Sequence, residues 1–358
     1  MRIKRWLSGT GAGLLLALFG GGGADVCGAT KATRDWTKHP AVVQVDTTED
    51  VFAIGDAHAD SNRLLGVLVA AKIIASVPAN PSDVMWAAGK SVLLITGDLI
   101  DKGPNSLNVI ALVRALQASA ANKGGLVIVT MGNHEAEFLA NPHGKKTAEF
   151  GAELVKAGLK RNDVASCNGD LGKFLCELPL AVRVNDWFFC HAGNTNGQTI
   201  QALSSAIEAG FAKDGFATTE LVGDNSLLEA RLNDKGPGGL PWFDTGSLQT
   251  DPQKVLSEYA AALGVQHIVQ GHQPGGVTFP DKQKRNKEDI FQRYGLLFLI
   301  DGGMSKGIEG STSTGGAIHI TGTGTGTQKV VVICANGSEK TLWDSETQPS
   351  LEAQHCGN

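Results

Sequence analysis

After Ala29 the chain has no apolar run long enough to cross a bilayer as a helix, which excludes helical membrane spans over that length. It also lacks a surplus of positive charge. Its 31 Lys and Arg stand against 36 Asp and Glu, for a formal net charge of −5. That excludes a general electrostatic field for nucleic acid, so no nucleic-acid binding is expected and any attraction for phosphate must be local. No large internal repeat is present. Cysteine is sparse, six residues in 358. What is present is a 42% hydrophobic composition, enough for one large domain or two small ones with a sizeable core.

The N-terminus reads as an export signal over residues 1–29. Arg2, Lys4 and Arg5 give a basic start, Gly13 to Phe19 a short apolar core, and Gly20 to Ala29 a small-residue region. The expected location is therefore periplasmic or secreted. Cys27 raises lipoprotein anchoring as an alternative. Ala24-Asp25-Val26 lacks the small residue normally found just before a lipid-modified cysteine, so simple cleavage ranks higher. Export makes disulfides available. Cys167 and Cys176 are close enough in sequence to bridge, whereas Cys190, inside an apolar run, reads as a buried free thiol.

Five apolar, β-branched or aromatic runs each end in a polar group. Val51 to Ile54 leads into Gly55-Asp56-Ala57-His58. Ser91 to Thr96 leads into Gly97-Asp98-Leu99-Ile100-Asp101-Lys102-Gly103. Leu126 to Met131 leads into Gly132-Asn133-His134-Glu135, Trp187 to Cys190 into His191, and His267 to Gln270 into Gly271-His272. Continuous apolar runs of this length fit strands buried on both faces. Helical stretches fall between them, over Asn62 to Ala75 and after Pro104, where Leu107, Ile110, Val113 and Leu116 recur at three-residue steps. Strands alternating with helices predict an α/β domain with its site at the strand ends.

One catalytic domain is expected over residues 40–345, with a mostly helical insertion at 137–179 and a loose tail at 346–358. Asp281 to Asp289 reads as a solvated charged loop. Val330 to Cys334 and Lys340 to Trp343 flank Asn336-Gly337, a hairpin signal.

The strand-end residues are hard-metal ligands. Asp56 and His58 lie two apart and can turn into one pocket. The two oxygens of Asp98 can bridge two metals, Asn133 offers a neutral carbonyl, and His191 and His272 offer ring nitrogens. This mixed set suits Mn, Fe or Zn better than Ca or Mg. Two such ions can polarise a phosphoryl group and acidify a bridging water, whose hydroxide attacks phosphorus in line. His134 follows a ligand, points elsewhere and reads as the general acid, with Asp101 orienting it. Lys102 and Asn133 are placed to meet the substrate phosphate. Glu135 reads as backbone support. His39, His143, His267, His319 and His355 are not expected to bind metal, and structural or surface roles are expected for Arg63 and Arg231.

These segments resemble the calcineurin-like metallophosphoesterases, whose motifs run G-D-x-H, G-D-x-x-D-x-G, G-N-H-E, a His element and a terminal G-H. The resemblance implies a four-layer α/β/β/α sandwich with the metals between the sheets, to which the hairpin signal read from the pattern adds a C-terminal β-hairpin. It implies one metal on Asp56, His58 and Asp98, and a second on Asp98, Asn133, His191 and His272. Pro274 stands where many phosphodiesterases carry another histidine. With Pro241-Trp242-Phe243-Asp244 and Ile300-Asp301-Gly302-Gly303-Met304-Ser305, the chain looks like bacterial Shewanella-like protein phosphatases. Three residues depart from that subgroup: Lys102 stands where it usually carries an Arg with a planar fork for phosphate, Ala59 replaces a common Gly, and Asp244 sits where a basic residue is expected. The leading expectation is a phosphomonoesterase or phosphoprotein phosphatase. The alternatives are a hydrolase of nucleotides, dinucleoside polyphosphates or diesters, and an exported, catalytically silent metal-binding protein. Expected partners are a phosphorylated protein or a small phosphoester.

Overall fold

The computed structural model describes residues 34–232 and 251–357. The expected signal segment, Cys27 and Pro241-Trp242-Phe243-Asp244 lie outside them. Strands β1 (Val42–Val45) and β2 (Val51–Ile54) open the described chain, followed by α1 (Ser61–Ala70), β3 (Val92–Ile95), α2 (Ser106–Ala121) and β4 (Leu126–Val129). Helices α3 (Asn133–Ala140), α4 (Ala148–Lys156), α5 (Arg161–Ala165) and α6 (Gly169–Glu177) come next, then β5 (Ala181–Val184) and β6 (Trp187–Cys190). After α7 (Ile200–Asp214), α8 (Thr219–Val222) and α9 (Pro252–Leu263) come β7 (His267–Gln270), β8 (Val277–Thr278) and β9 (Lys284–Arg285). The chain then runs through β10 (Asp289–Arg293), β11 (Leu297–Leu299), β12 (Gly316–Thr321), β13 (Lys329–Cys334), β14 (Glu339–Asp344) and β15 (Leu351–His355).

Two large sheets result. One has seven strands in the order β1-β5-β6-β7-β11-β10-β15, the other six in the order β14-β13-β12-β2-β3-β4. Alternation within the strands explains the layering. Val51, Ala53, Val92 and Leu94 pack with Val182, Phe189, Val269 and Phe298 of the opposite sheet. Phe52, Ile54, Leu93 and Ile95 face the other way, into a cluster with the helix residues Leu64, Val109 and Leu112. Each central strand is thus apolar on both faces because one face meets a sheet and the other a helical layer. The expected C-terminal hairpin is present as the antiparallel pair β13 and β14.

Three local expectations are corrected. The helix expected over Asn62–Ala75 ends at Ala70; Ala71 N–H closes onto Val67 O, and Ile73 and Ile74 leave the helix to pack in the core. The 281–289 segment is not simply a solvated loop. It contains β9, and Arg285 and Glu288 are buried. The Arg285 guanidinium donates to the carbonyls of Gln273, Gly275, Asp289 and Asp301, so a buried cation is matched by four backbone acceptors. The tail at 346–358 is not loose. Residues 351–355 pair antiparallel with β10, and Cys356 is bonded to Cys334. Its residues show little apolar alternation, since backbone pairing and a covalent bond hold them, so the pattern gave no sign of a strand.

Candidate metal centre

Every expected ligand sits at the C-terminal end of a strand. Asp56 and His58 follow β2, Asp98 follows β3 and Asn133 follows β4 in one sheet; His191 follows β6 and His272 follows β7 in the other. All six are buried, none more than 3% exposed. Sharp turns bring them there. His58, Asp98 and His272 have φ of 39°, 48° and 66°, a left-handed conformation unusual outside glycine and characteristic of strained functional turns. Two glycines explain themselves by close approach. A Cβ on Gly132 would collide with the Asp98 carboxylate, and one on Gly271 with that of Asp56.

The histidine nitrogens are sorted by backbone carbonyls. His58 Nδ1 lies 3.1 Å from Ile100 O, His191 Nδ1 2.7 Å from Thr96 O, and His272 Nε2 3.1 Å from Glu229 O. In each ring the outer nitrogen donates to a carbonyl and the inner lone pair faces the cluster, as metal-ligating imidazoles require. His58 Nε2 is 3.3 Å from Asp98 Oδ2 and 3.9 Å from Asp56 Oδ2. His191 Nε2 is 3.5 Å from Asp98 Oδ1, 3.0 Å from Asn133 Oδ1 and 3.0 Å from His272 Nδ1. Among the described residues, two His and Asp groups place their ligand atoms within 4.8 Å of one another: His58, Asp98 and His134, and Asp98, His191 and His272. Asp98 belongs to both.

The electrostatics fit divalent ions. Burial pushes His58 down to about 3 and also lowers His191 and His272, keeping these rings neutral. Burial, with Asp301 and Asp98 adding, raises the Asp56 carboxyl well above its ordinary value. At Asp98 burial opposes ionisation, but nearby positive charge, that of His134 and Lys102 included, outweighs it and holds the carboxyl well below its usual range. Asp301, just beyond β11, is fully buried, and its Oδ2 has no hydrogen-bond partner. Buried carboxylates in this number call for positive charge. Part of that charge is the Lys102 ammonium, whose Nζ stands 2.9 Å from His58 Nε2. Lys102 therefore reaches inward to the ligand cluster as well as lining the cavity.

Beside the ligands, His134 Nδ1 is 3.0 Å from Asp101 Oδ2. Burial disfavours charge on this ring, yet Asp98 and Asp101 prevail and raise its pKa. Asp101 is fixed in turn by Phe150 N–H, which donates to its Oδ1 at 2.9 Å. The 137–179 segment thus braces the site through α4. Glu149 accepts Gly103 N–H at 2.8 Å, and Glu153 accepts the Ser106 and Leu107 N–H groups, both at 2.9 Å, capping α2. Glu135 supports backbone: its carboxylate accepts the N–H groups of Asp98, Leu99 and Gly132 at 2.9, 2.8 and 2.8 Å. Asp98, Lys102, Asn133, His134, Arg231 and His272 line an open cavity of about 320 Å³.

None of His39, His143, His267, His319 and His355 enters either ligand group. Arg63 binds the carbonyls of Met304 and Ser313. Arg231 donates to the His272 carbonyl at 3.4 Å, a structural role, and also lines the cavity. Two residues escaped the sequence reading. Asp301 lay in a segment noted only for its family likeness, although it too ends an apolar strand. Glu229 carries no motif.

A double β-sandwich with Asp, Asn and His ligands at strand ends of both sheets defines a metallophosphoesterase. Residues 50–276 match the Calcineurin-like phosphoesterase family, and the chain belongs to it. That family typically uses a dinuclear divalent site, and the His and Asp groups described here fit one. The chain is 30% identical to Shewanella-like protein phosphatase 1 of Plasmodium berghei (strain Anka) over 40% of its own length and 38% of that protein. It is 30% identical to the symmetrical bis(5'-nucleosyl)-tetraphosphatase of Erwinia tasmaniensis over 60% of its own length and 84% of that protein. The matches to the first curated relatives span well under two thirds of those proteins, 24% and 38% for two of them. The fold is similar to that of a cold-active protein-tyrosine phosphatase from a psychrophilic Shewanella, with TM-score 0.62 and 19% identity over 87% of this chain and 86% of that one.

Proposed function

We propose that this protein is an exported, metal-dependent phosphomonoesterase of the phosphoprotein phosphatase type. The observation that carries this reading is the convergence of six buried ligand side chains, from strand ends of both sheets, beside the His134–Asp101 pair. Asp56, His58 and Asp98 would hold one divalent ion, and Asp98, Asn133, His191 and His272 the other. Mn, Fe or Zn suits these donors. Bound there, the ions supply Lewis acidity to the phosphoryl oxygens and acidify the attacking water. The protein's own groups do the rest. Asp101 holds His134 Nδ1, so Nε2 is the nitrogen that passes a proton to the leaving alkoxide. Lys102, Arg231 and the Asn133 amide line the cavity and meet the non-bridging oxygens.

A monoester is favoured because Pro274 stands where a further histidine would complete a diesterase-type site. The match to a bis(5'-nucleosyl)-tetraphosphatase supports a second reading, hydrolysis of dinucleoside polyphosphates. Kinetics on metal-loaded protein with p-nitrophenyl phosphate, its bis-ester, a phosphopeptide and diadenosine tetraphosphate separate them. The expected kcat/KM for the aryl monoester exceeds that for the diester by at least about a hundredfold. Equal or faster diester turnover overturns the leading reading, and preference for the dinucleotide establishes the second. Export is supported by the three-part N-terminus and by the Cys167–Cys176 and Cys334–Cys356 bonds, which suit an oxidising compartment. A mature periplasmic or secreted protein starting just after Ala29 is expected; an intact Met1 in the cytosol overturns it.

A further inference from the structure

Two ligands of the second metal position carry an orientational choice that their own chemistry does not settle. An asparagine amide can present either oxygen or nitrogen, and a neutral imidazole can carry its proton on either ring nitrogen. Both choices are made by one residue, Glu229. Its carboxylate Oε1 lies 3.1 Å from Asn133 Nδ2. A carboxylate only accepts, so the amide must turn its NH2 towards Glu229. Asn133 Oδ1 is thereby left facing His191 Nε2 at 3.0 Å. The backbone carbonyl of the same residue lies 3.1 Å from His272 Nε2 and takes that nitrogen's proton. The lone pair of His272 is then on Nδ1, which points into the cluster, 3.0 Å from His191 Nε2.

Glu229 is itself anchored at both ends. Its N–H donates to Ser226 Oγ at 3.1 Å, fixing the turn that aims the carbonyl. Lys146, in the loop before α4, places Nζ 3.0 and 3.2 Å from the two carboxylate oxygens and 2.6 Å from Glu137. The Glu229 side chain is only 15% exposed, so this ion pair is more than a rim contact.

We propose that Glu229 is a positioning residue for the second metal, setting the amide direction of Asn133 and the tautomer of His272, with Lys146 tying it to the helical insertion. The proposal rests on the reading of Asn133 and His272 as ligands. Partners of this kind are worth roughly 10–100-fold in metal affinity or activity. The side-chain half is tested on the full mature chain, stripped by chelation and titrated with Mn2+ by calorimetry, with bound metal counted by elemental analysis. Wild type is expected to take two equivalents. Glu229→Leu is expected to keep the first and bind the second about 10–100-fold more weakly. Its p-nitrophenyl phosphate turnover should recover as Mn2+ is raised, which general damage to the fold would not allow. Glu229→Gln keeps size and one acceptor oxygen but loses the charge-assisted bonds, so a roughly 3–10-fold loss at the second site is expected. If Glu229→Leu does not fold, Glu229→Gln alone decides: unchanged second-site affinity overturns the proposal. Wild type that binds fewer than two ions instead overturns the underlying dinuclear reading and leaves Glu229 no ligands to position.

Discussion

At the residue scale, the site separates two kinds of histidine by what holds the outer nitrogen. His58, His191 and His272 give theirs to backbone carbonyls, which leaves a neutral ring with an inward lone pair. His134 gives Nδ1 to the Asp101 carboxylate, which favours a protonated ring. A ligand needs the first arrangement and a proton donor the second. His134→Asn is therefore expected to retain both metals and lose about 10²–10⁴-fold in kcat, read by elemental analysis alongside monoester turnover. Normal turnover in that variant would remove His134 from the acid role. The convergence of these candidate residues was legible in the sequence because each is announced by the strand that precedes it. Glu229 was not. Leu227-Leu228-Glu229-Ala230-Arg231 reads as ordinary mixed sequence, and its importance arises only when folding brings it 96 residues back to Asn133. The inward reach of Lys102 was hidden for a similar reason: spacing fixed its position beside Asp101 but not its direction.

At the element scale, strand-end turns and the first turn of α3 carry the chemistry, while the other helices hold the turns. The Asp98 to Gly103 loop leans on α4, which caps α2 through Glu153 and receives Asp101 at the Phe150 N–H. The sequence announced β2, β3, β4, β6 and β7 because they are largely apolar on both faces. Edge strand β15 was illegible: Leu351-Glu352-Ala353-Gln354-His355 is only partly buried along its length and is held by β10 and by Cys356. Closing a loop with 22 residues of separation restricts the unfolded chain by about 3 kcal/mol. Cys356→Ser is accordingly expected to lower unfolding free energy by roughly 2–4 kcal/mol in a denaturant titration, with monoester KM little changed. A loss below about 0.5 kcal/mol would show that backbone pairing alone retains the strand.

At the scale of the whole molecule, the ligand set draws on both sheets: Asp56, His58, Asp98 and Asn133 from one, His191 and His272 from the other. Ions bound there would bind the folded state and not the unfolded chain. With free metal at a hundred times Kd, each site adds about 2.7 kcal/mol. Chelation is expected to lower Tm by roughly 5–15 °C, reversibly on adding Mn2+ back. An unchanged Tm would mean that the buried carboxylates are balanced without metal. The alternation of strands and helices foretold an α/β molecule, but the second sheet came only through resemblance. Whether an apolar face meets a helix or another sheet is decided by topology, and both environments select the same side chains.

The bond between Cys334 and Cys356 joins β13, inside the six-stranded sheet, to the residue following β15, on the edge of the seven-stranded one. It makes the last described stretch of chain a mechanical bypass. Tension applied at the C-terminus passes through the sulfurs into β13 and skips β14 and β15 altogether. Those two strands are shielded from pulling, and the first element to bear load is one already flanked on both sides by hydrogen-bonded neighbours.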